Sequence, residues 1–119
     1  MALTKDQILA ASDSGLIKVT VPEWPDNGKP GEVYIRVMTV GERDAYENEW
    51  VRCKQTGVED FRTKFLARCL CDEKGNRLFG DEEIVVLSKK SAKPMMRLWQ
   101  VAMDHNALTD SDVDELAKN

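Results

Sequence analysis

The chain has 119 residues, 42% of them apolar and 32% charged, a composition that fits one globular domain and not a disordered or fibrous chain. Its formal net charge of -4 makes nucleic acid and anionic lipid poor electrostatic partners. The longest apolar runs, such as Ile84–Leu87, fall far short of the roughly 20 residues of a transmembrane helix. The first residues do not show a basic region followed by an apolar stretch, so a secretory signal is not predicted.

The first predicted element is a short helix after Thr4. Thr4 and Gln7 have the spacing of a capping box, and Leu3 and Ile8 occupy the positions of a hydrophobic staple. The segment Ser12–Gly15 consists of residues that favour turns, so the helix is expected to stop there.

Two alternating segments then predict a β-hairpin. Apolar residues alternate with polar ones over Ile17–Val21 and again over Val33–Val37, which indicates two strands with one apolar face each. The connection Pro22–Gly31 holds all but one of the prolines, so it is predicted to be a long and partly stiff loop. Because a two-stranded hairpin is marginal alone in water, helices further along the chain are expected to cover it.

Helical periodicity and capping residues predict the next elements. Thr39 and Glu42 form a second capping box ahead of a helix that carries Tyr46 and Trp50. Asp60 places negative charge at the start of the following helix, which suits the helix dipole. The apolar side of that helix is formed by Phe61, Phe65, Leu66, Cys69 and Leu70.

A turn at Asp72–Arg77 precedes the last three predicted helices. Asp81 is expected to cap a brief helix, and Ser91 a longer one with Pro94 near its first turn. Thr109 has capping spacing ahead of a short acidic helix at the end of the chain. The apolar stripe of the helix after Ser91 is formed by Ala92, Met95, Met96, Trp99, Ala102 and Met103.

Together these elements predict an α+β fold. A two-stranded antiparallel hairpin is expected to pack against about five or six mostly short helices. No internal repeat, low-complexity tract or linker divides the sequence, so residues 1–119 are predicted to form a single domain.

Cys69, Cys71 and His105 are the side chains that a metal ion could use. A zinc site normally has about four ligands, and two cysteines that flank one helical residue point roughly 200° apart. Packing of the cysteines in the core and interaction of His105 with a helix end are simpler explanations. Because nucleotide, metalloprotease and hydrolase motifs are absent, no enzymatic activity, cofactor or metal is predicted. A small metal-dependent enzyme or sensor using these three residues is the alternative.

Two regions are predicted to bind a partner protein. Trp24 lies between two prolines in the hairpin loop, and Tyr34 lies on the hairpin itself. The methionine-rich helix contributes Met95 and Trp99, because methionine is common on surfaces that accept varied apolar partners. Core packing is the competing explanation for these residues. The open strand edges are expected to accept a further strand, and a homo-oligomer is a further expectation.

The order of these signals resembles a known family. The resemblance is carried by Leu3–Leu9, Gly31–Arg36, Thr39–Glu47, Cys71–Phe79, Asp81–Glu83, Lys90–Ser91, Leu98 and Asn106–Val113. Over nearly its whole length the chain resembles the tail assembly chaperones of bacteriophages with long, non-contractile tails and of their prophages. Because the resemblance supplies no contact residues, the partner-binding residues are predicted from chemistry alone.

The resemblance implies a non-enzymatic protein that works in the cytoplasm of the infected bacterium. Such chaperones hold the tape measure protein soluble, help to recruit the major tail protein and are generally absent from the finished virion. The alternative in the same setting is a minor structural tail component, such as a completion or connector protein, that is retained in the virion. Neither role implies nucleic acid or a membrane as a partner.

Overall fold

The computed structural model describes residues 1–108 and 110–118. Over these residues the fold is α+β, as predicted, with six α-helices and a three-stranded antiparallel sheet. The elements in chain order are α1 (Lys5–Ala10), β1 (Ile17–Asp26), β2 (Lys29–Ile35), α2 (Val40–Arg52), α3 (Phe61–Cys69), β3 (Leu70–Cys71), a 3₁₀ turn (Asp81–Glu83), α4 (Ile84–Leu87), α5 (Ala92–His105) and α6 (Asp110–Lys118). No helix within the described residues has both the length and the apolar character needed to cross a bilayer.

The sheet has the order β1-β2-β3, so β1 is an edge strand. In the hairpin Ile17 pairs with Ile35 and Val21 with Gly31, whereas β2 pairs with β3 through Ile35 and Leu70. The third strand was not predicted, and placing Leu70 on the preceding helix was wrong. Strand β3 is only two residues long and follows α3 without a break, so its sequence shows no alternation that could distinguish it from the helix.

The predicted long loop between the strands is also wrong, because β1 continues through both of its prolines to Asp26. The turn is formed by Asn27 and Gly28 alone, which both have positive φ, as a two-residue hairpin turn requires. The pairing register shifts between Val21 and Asp26, so the strand bulges there. An edge strand with a bulge tolerates proline because its outer amides need no partner in the sheet.

Three of the predicted helix caps are confirmed. The Thr4 and Thr39 side chains each accept a hydrogen bond in a complete capping box, and the Ser91 hydroxyl accepts one from the Lys93 amide at 3.4 Å. Asp81 is not a cap but the first residue of the 3₁₀ turn. The predicted cap at Thr109 lies outside the described residues.

The core lies between the sheet and helices α2, α3 and α5, around a cluster of aromatic rings. Phe65 has no exposed surface, and its ring centroid lies 5.1 Å from that of Tyr46 and 5.2 Å from that of Trp99, both in edge-to-face geometry. Replacing a buried phenylalanine of this kind by alanine typically lowers the free energy of unfolding by about 3–5 kcal/mol. These contacts fix α5 against α3.

A buried polar side chain, Asn106, connects the end of α5 to the chain after β2. Its Oδ1 accepts a hydrogen bond from the Met38 amide at 2.7 Å, and its Nδ2 donates to the Arg36 carbonyl at 3.2 Å and to the Ala102 carbonyl at 2.9 Å. Asn106 is 6% exposed, so these bonds satisfy backbone groups that water does not reach. Nothing in the sequence pattern indicated this role, because a single Asn after a helix usually indicates only a helix end.

Candidate protein-binding groove

An open apolar groove of about 310 Å³ lies between the hairpin and α4. Most of its walls are formed by Trp24, Val33, Leu78, Phe79, Val86 and Leu87. Leu70, which is buried, also lines the groove, and Lys90 supplies the one charged side chain of the lining. A concave apolar surface with few polar groups is the usual form of a binding site for apolar groups.

Trp24 reaches this groove because of the bulge in β1. In a regular strand Trp24 would project from the face opposite that of Val19 and Val21, but the register shift places it beside Val33. At the bulge the chain folds tightly onto β2, and a Cβ on Gly31 would lie 1.9 Å from the carbonyl oxygen of Trp24. Only glycine fits this approach, so Gly31 allows the bulge to pack this closely onto β2.

Two interactions hold the bulge against the helical layer. The Arg97 guanidinium on α5 donates two hydrogen bonds to the Glu23 carboxylate, at 2.7 and 2.8 Å. This bidentate pair lowers the pKa of Glu23 to about 2. The Lys90 Nζ lies 5.7 Å from the centroid of the Trp24 ring, within the range of a cation–π contact. Both interactions therefore restrain Trp24 and its neighbour Glu23 against the helical layer.

The turn predicted at Asp72–Arg77 is confirmed, and it positions the two groove residues that follow it, Leu78 and Phe79. The Asp72 Oδ1 accepts hydrogen bonds from the amides of Lys74 at 2.8 Å and Asn76 at 3.0 Å. These bonds from Asn76 and Lys74 lower the pKa of Asp72, because they favour its charged form. The chain then returns along β3, where the Leu78 amide donates to a carbonyl of that strand, and so brings Leu78 and Phe79 to the groove.

Helix α4 provides the outer wall and much of its exposed apolar surface. Its four residues are all apolar, and Ile84 and Leu87 face the core while Val85 and Val86 face outward. The exposed fractions are 62% for Val85 and 67% for Val86, and Leu78 across the groove is 49% exposed. Of these, Val86 and Leu78 line the groove, and apolar surface exposed together at one groove marks an interaction site more often than scattered apolar residues do.

The structure separates the four residues predicted to bind a partner. Trp24 is half-buried in the groove, whereas Tyr34 lies on the opposite face of β2 from Val33 and is not part of the groove. Met95 is 5% exposed and Trp99 is 8% exposed, so both are core residues, which is a correction of their predicted role. Their helical stripe faces the aromatic cluster, and periodicity alone does not distinguish a core face from a binding face.

Sequence reasoning missed the groove residues Leu78, Phe79, Val86 and Lys90. One signal was present, because a helix of four consecutive apolar residues cannot turn all of them toward the core. The other members come from separate segments, and only the tertiary structure brings them to Trp24.

The three side chains of the metal-site alternative do not form a site. Cys69 is buried, and its burial raises the pKa of the thiol to about 12, while burial also raises the pKa of Cys71. The Nε2–H of His105 donates to the Gly15 carbonyl at 2.7 Å. Within residues 1–108 and 110–118, no three histidine, cysteine or acidic side chains are grouped so that they could hold a metal ion.

The groove offers hydrocarbon and aromatic surface with a single cation at its edge, an arrangement suited to holding apolar side chains of another protein. No protein-family model matches the chain, and neither a curated protein nor a solved structure is significantly similar to it. The function proposed below is therefore supported by the geometry of the groove together with the resemblance in sequence.

Proposed function

We propose that the protein is a non-enzymatic tail assembly chaperone that binds the tape measure protein of a bacteriophage and helps to recruit the major tail protein. The observation that carries this proposal is the open apolar groove around Trp24. The resemblance in sequence supplies the identity of the partners, and the site of action is the host bacterial cytoplasm.

The groove has the properties that a chaperone of a long apolar client needs. It is open on one side, and Val86 and Leu78 expose apolar surface on either side of it, so a helix can lay apolar side chains into it without a change in the fold. A space of about 310 Å³ holds few side chains, so each contact is weak and reversible. Many copies bound along one client gain avidity from their number.

The charge at the edge of the groove favours a particular kind of client segment. Lys90 lines the groove, and Lys89 is its neighbour in sequence. In the part of the chain that the structure describes, neither lysine forms an ion pair. We therefore expect the groove to prefer an amphipathic helix in which an acidic residue flanks the apolar positions.

The test is co-expression with the tape measure protein of the same phage. The soluble fraction of the tape measure protein should rise with the wild-type chain, and most of the gain should be lost with Val86→Asp. Val51→Asp is the matched control, because Val51 is an exposed valine on α2 outside the groove. If the wild type neither forms a complex nor raises the solubility of the tape measure protein, the proposal fails.

A second measurement separates the chaperone from the structural alternative. Mass spectrometry of purified virions should find no stoichiometric amount of this chain. A fixed number of copies per mature particle would instead indicate a minor structural tail component that is retained in the virion.

A further inference from the structure

Helix α1 is well formed but uncovered. The Thr4 hydroxyl accepts from the Gln7 amide at 3.2 Å, and the Gln7 side chain accepts from the Thr4 amide at 2.8 Å, so the capping box is complete. Yet no residue of α1 is buried, and Leu3, Ile8 and Leu9 are 67%, 57% and 73% exposed. Helices this short are unstable in water by themselves and normally depend on packing of their apolar face.

The exposed apolar side chains of α1 lie on one side of the helix. Ile8 and Leu9 project about 100° apart, and Leu3 occupies the staple position beside Ile8. Lys5 lies between Ile8 and Leu9 on that surface, and its aliphatic stem extends the apolar area. Asp6, three residues before Leu9, places a carboxylate beside the same face.

In the structure α1 does not lie in the groove of its own chain, because none of its residues is buried and none lines the groove. Gly15 is held by His105, the last residue of α5, whereas Lys90 of the groove lies just before the first residue of α5. The 14 residues of α5 place these two ends about 21 Å apart. The five residue steps from Ala10 at the end of α1 to the anchored Gly15 span at most about 18 Å. Placing Ile8 and Leu9 in the groove of the same chain would require this connection to be almost fully extended, a constraint that exchange between two copies does not impose.

We propose that two copies of the free protein exchange α1, so that the helix of each copy lies in the groove of the other. Leu9 and Ile8 then cover Val86 and Trp24, and the carboxylate of Asp6 faces Lys90. The exchange deepens the proposed function on which it rests, because the dimer covers the client groove until a client displaces α1.

The pairing is reciprocal, which compensates for the small size of each contact. A two-fold axis repeats the same helix-in-groove contact, and after the first contact forms the second is intramolecular. Two copies are sufficient, because the α1 helix of each copy fills the groove of the other.

The experiment uses two full-length variants, each of which removes a different half of the contact. Leu9→Asp disables the helix and leaves the groove intact, whereas Val86→Asp disables the groove and leaves the helix intact. Both side chains are exposed in the single chain, so the variants should keep the melting temperature of the wild type at concentrations where all of them are monomeric. Val51→Asp is again the control.

Sedimentation velocity over a range of protein concentrations gives the readout. The wild type and Val51→Asp should dimerise, and each of the other two variants alone should dimerise at least tenfold more weakly. An equimolar mixture of Leu9→Asp and Val86→Asp should associate more strongly than either variant alone but more weakly than the wild type, because one of the two helix-in-groove contacts is intact. A wild type that stays monomeric, a Leu9→Asp variant that dimerises normally or a mixture that associates no more strongly than either variant alone would each overturn the exchange.

The exchange and the chaperone function fail in different measurements. If the chain is not a tape measure chaperone, co-expression fails while the sedimentation result stands. If α1 does not exchange, Leu9→Asp should bind the client no more tightly than the wild type does. If it does exchange, Leu9→Asp should bind the client several-fold more tightly, because its groove is already free.

Discussion

A Cβ atom on residue 31 would lie only 1.9 Å from the carbonyl oxygen of Trp24, so the close packing of these two residues requires glycine at position 31. This contact joins the bulge of β1 to β2 and places the indole ring in the groove. The geometry of the candidate groove thus depends on Gly31, a residue that does not line the groove.

Replacing Gly31 by alanine should move the bulge, because the obstructing atom is a backbone oxygen and not a flexible side chain. We expect a loss of about 2 kcal/mol in the free energy of unfolding, measured by urea denaturation, together with weaker client binding. Gly41→Ala is the control, because the nearest atom to its Cβ is a Thr39 side-chain oxygen at 4.0 Å. Alanine there lies inside α2 and should be neutral or stabilising. Equal effects of the two substitutions would contradict the role of Gly31.

Asn106→Leu should be strongly destabilising, because it leaves the Met38 amide and the Arg36 carbonyl buried without the partners they now have. The expected loss is about 3 kcal/mol, measured by thermal and urea unfolding. Asn106→Asp keeps the acceptor for Met38 but loses the Nδ2 donor, so it should also destabilise. Asn48→Ala, at an exposed position on α2, is the control and should change stability by less than about 0.5 kcal/mol. A loss for Asn106→Leu as small as that of the control would show that these bonds contribute little.

The Glu23–Arg97 pair should make stability depend on pH in acid. The hydrogen bonds from Arg97 hold the pKa of Glu23 at about 2 in the folded chain, below its ordinary value of 4.5. A depressed folded pKa contributes stability above pH 4.5, and this contribution is lost as the pH falls toward 2. Both groups are partly exposed, so the contribution is small.

Melting temperatures of the wild type and Glu23→Gln across this range test the pair. The wild type should melt higher at pH 6, and the difference should shrink as the pH falls from about 4.5 to about 2. Glu59→Gln, which removes an exposed carboxyl outside this pair, serves as the control. A difference between the wild type and Glu23→Gln that is constant with pH would show that Glu23 acts through packing and not through its charge.

Much of the fold was predictable because its signals are local. The capping boxes at Thr4 and Thr39 depend on residues three apart, and the strand alternation around Val19 and Val33 shows directly in the sequence. The extent of the hairpin was not predictable, because prolines usually end a strand and only the bulge explains why β1 passes through them.

The candidate site was predictable only in part. Trp24 stood out as an aromatic residue between prolines, but the rest of the groove comes from segments that are distant in sequence. Met95 and Trp99 were misplaced because a helix that packs into the core and a helix that binds a partner carry the same apolar stripe. Burial decides between them, and burial is a property of the whole fold.

The two prolines of β1 have one more consequence. An edge strand normally offers a row of amide donors to any passing extended chain, but Pro22 and Pro25 have none, and the bulge bends the strand away from a straight template. The outer half of the hairpin is thus a poor seed for cross-β stacking. For a protein proposed to bind aggregation-prone chains, an edge strand of this kind reduces the risk that it joins a growing aggregate through backbone pairing.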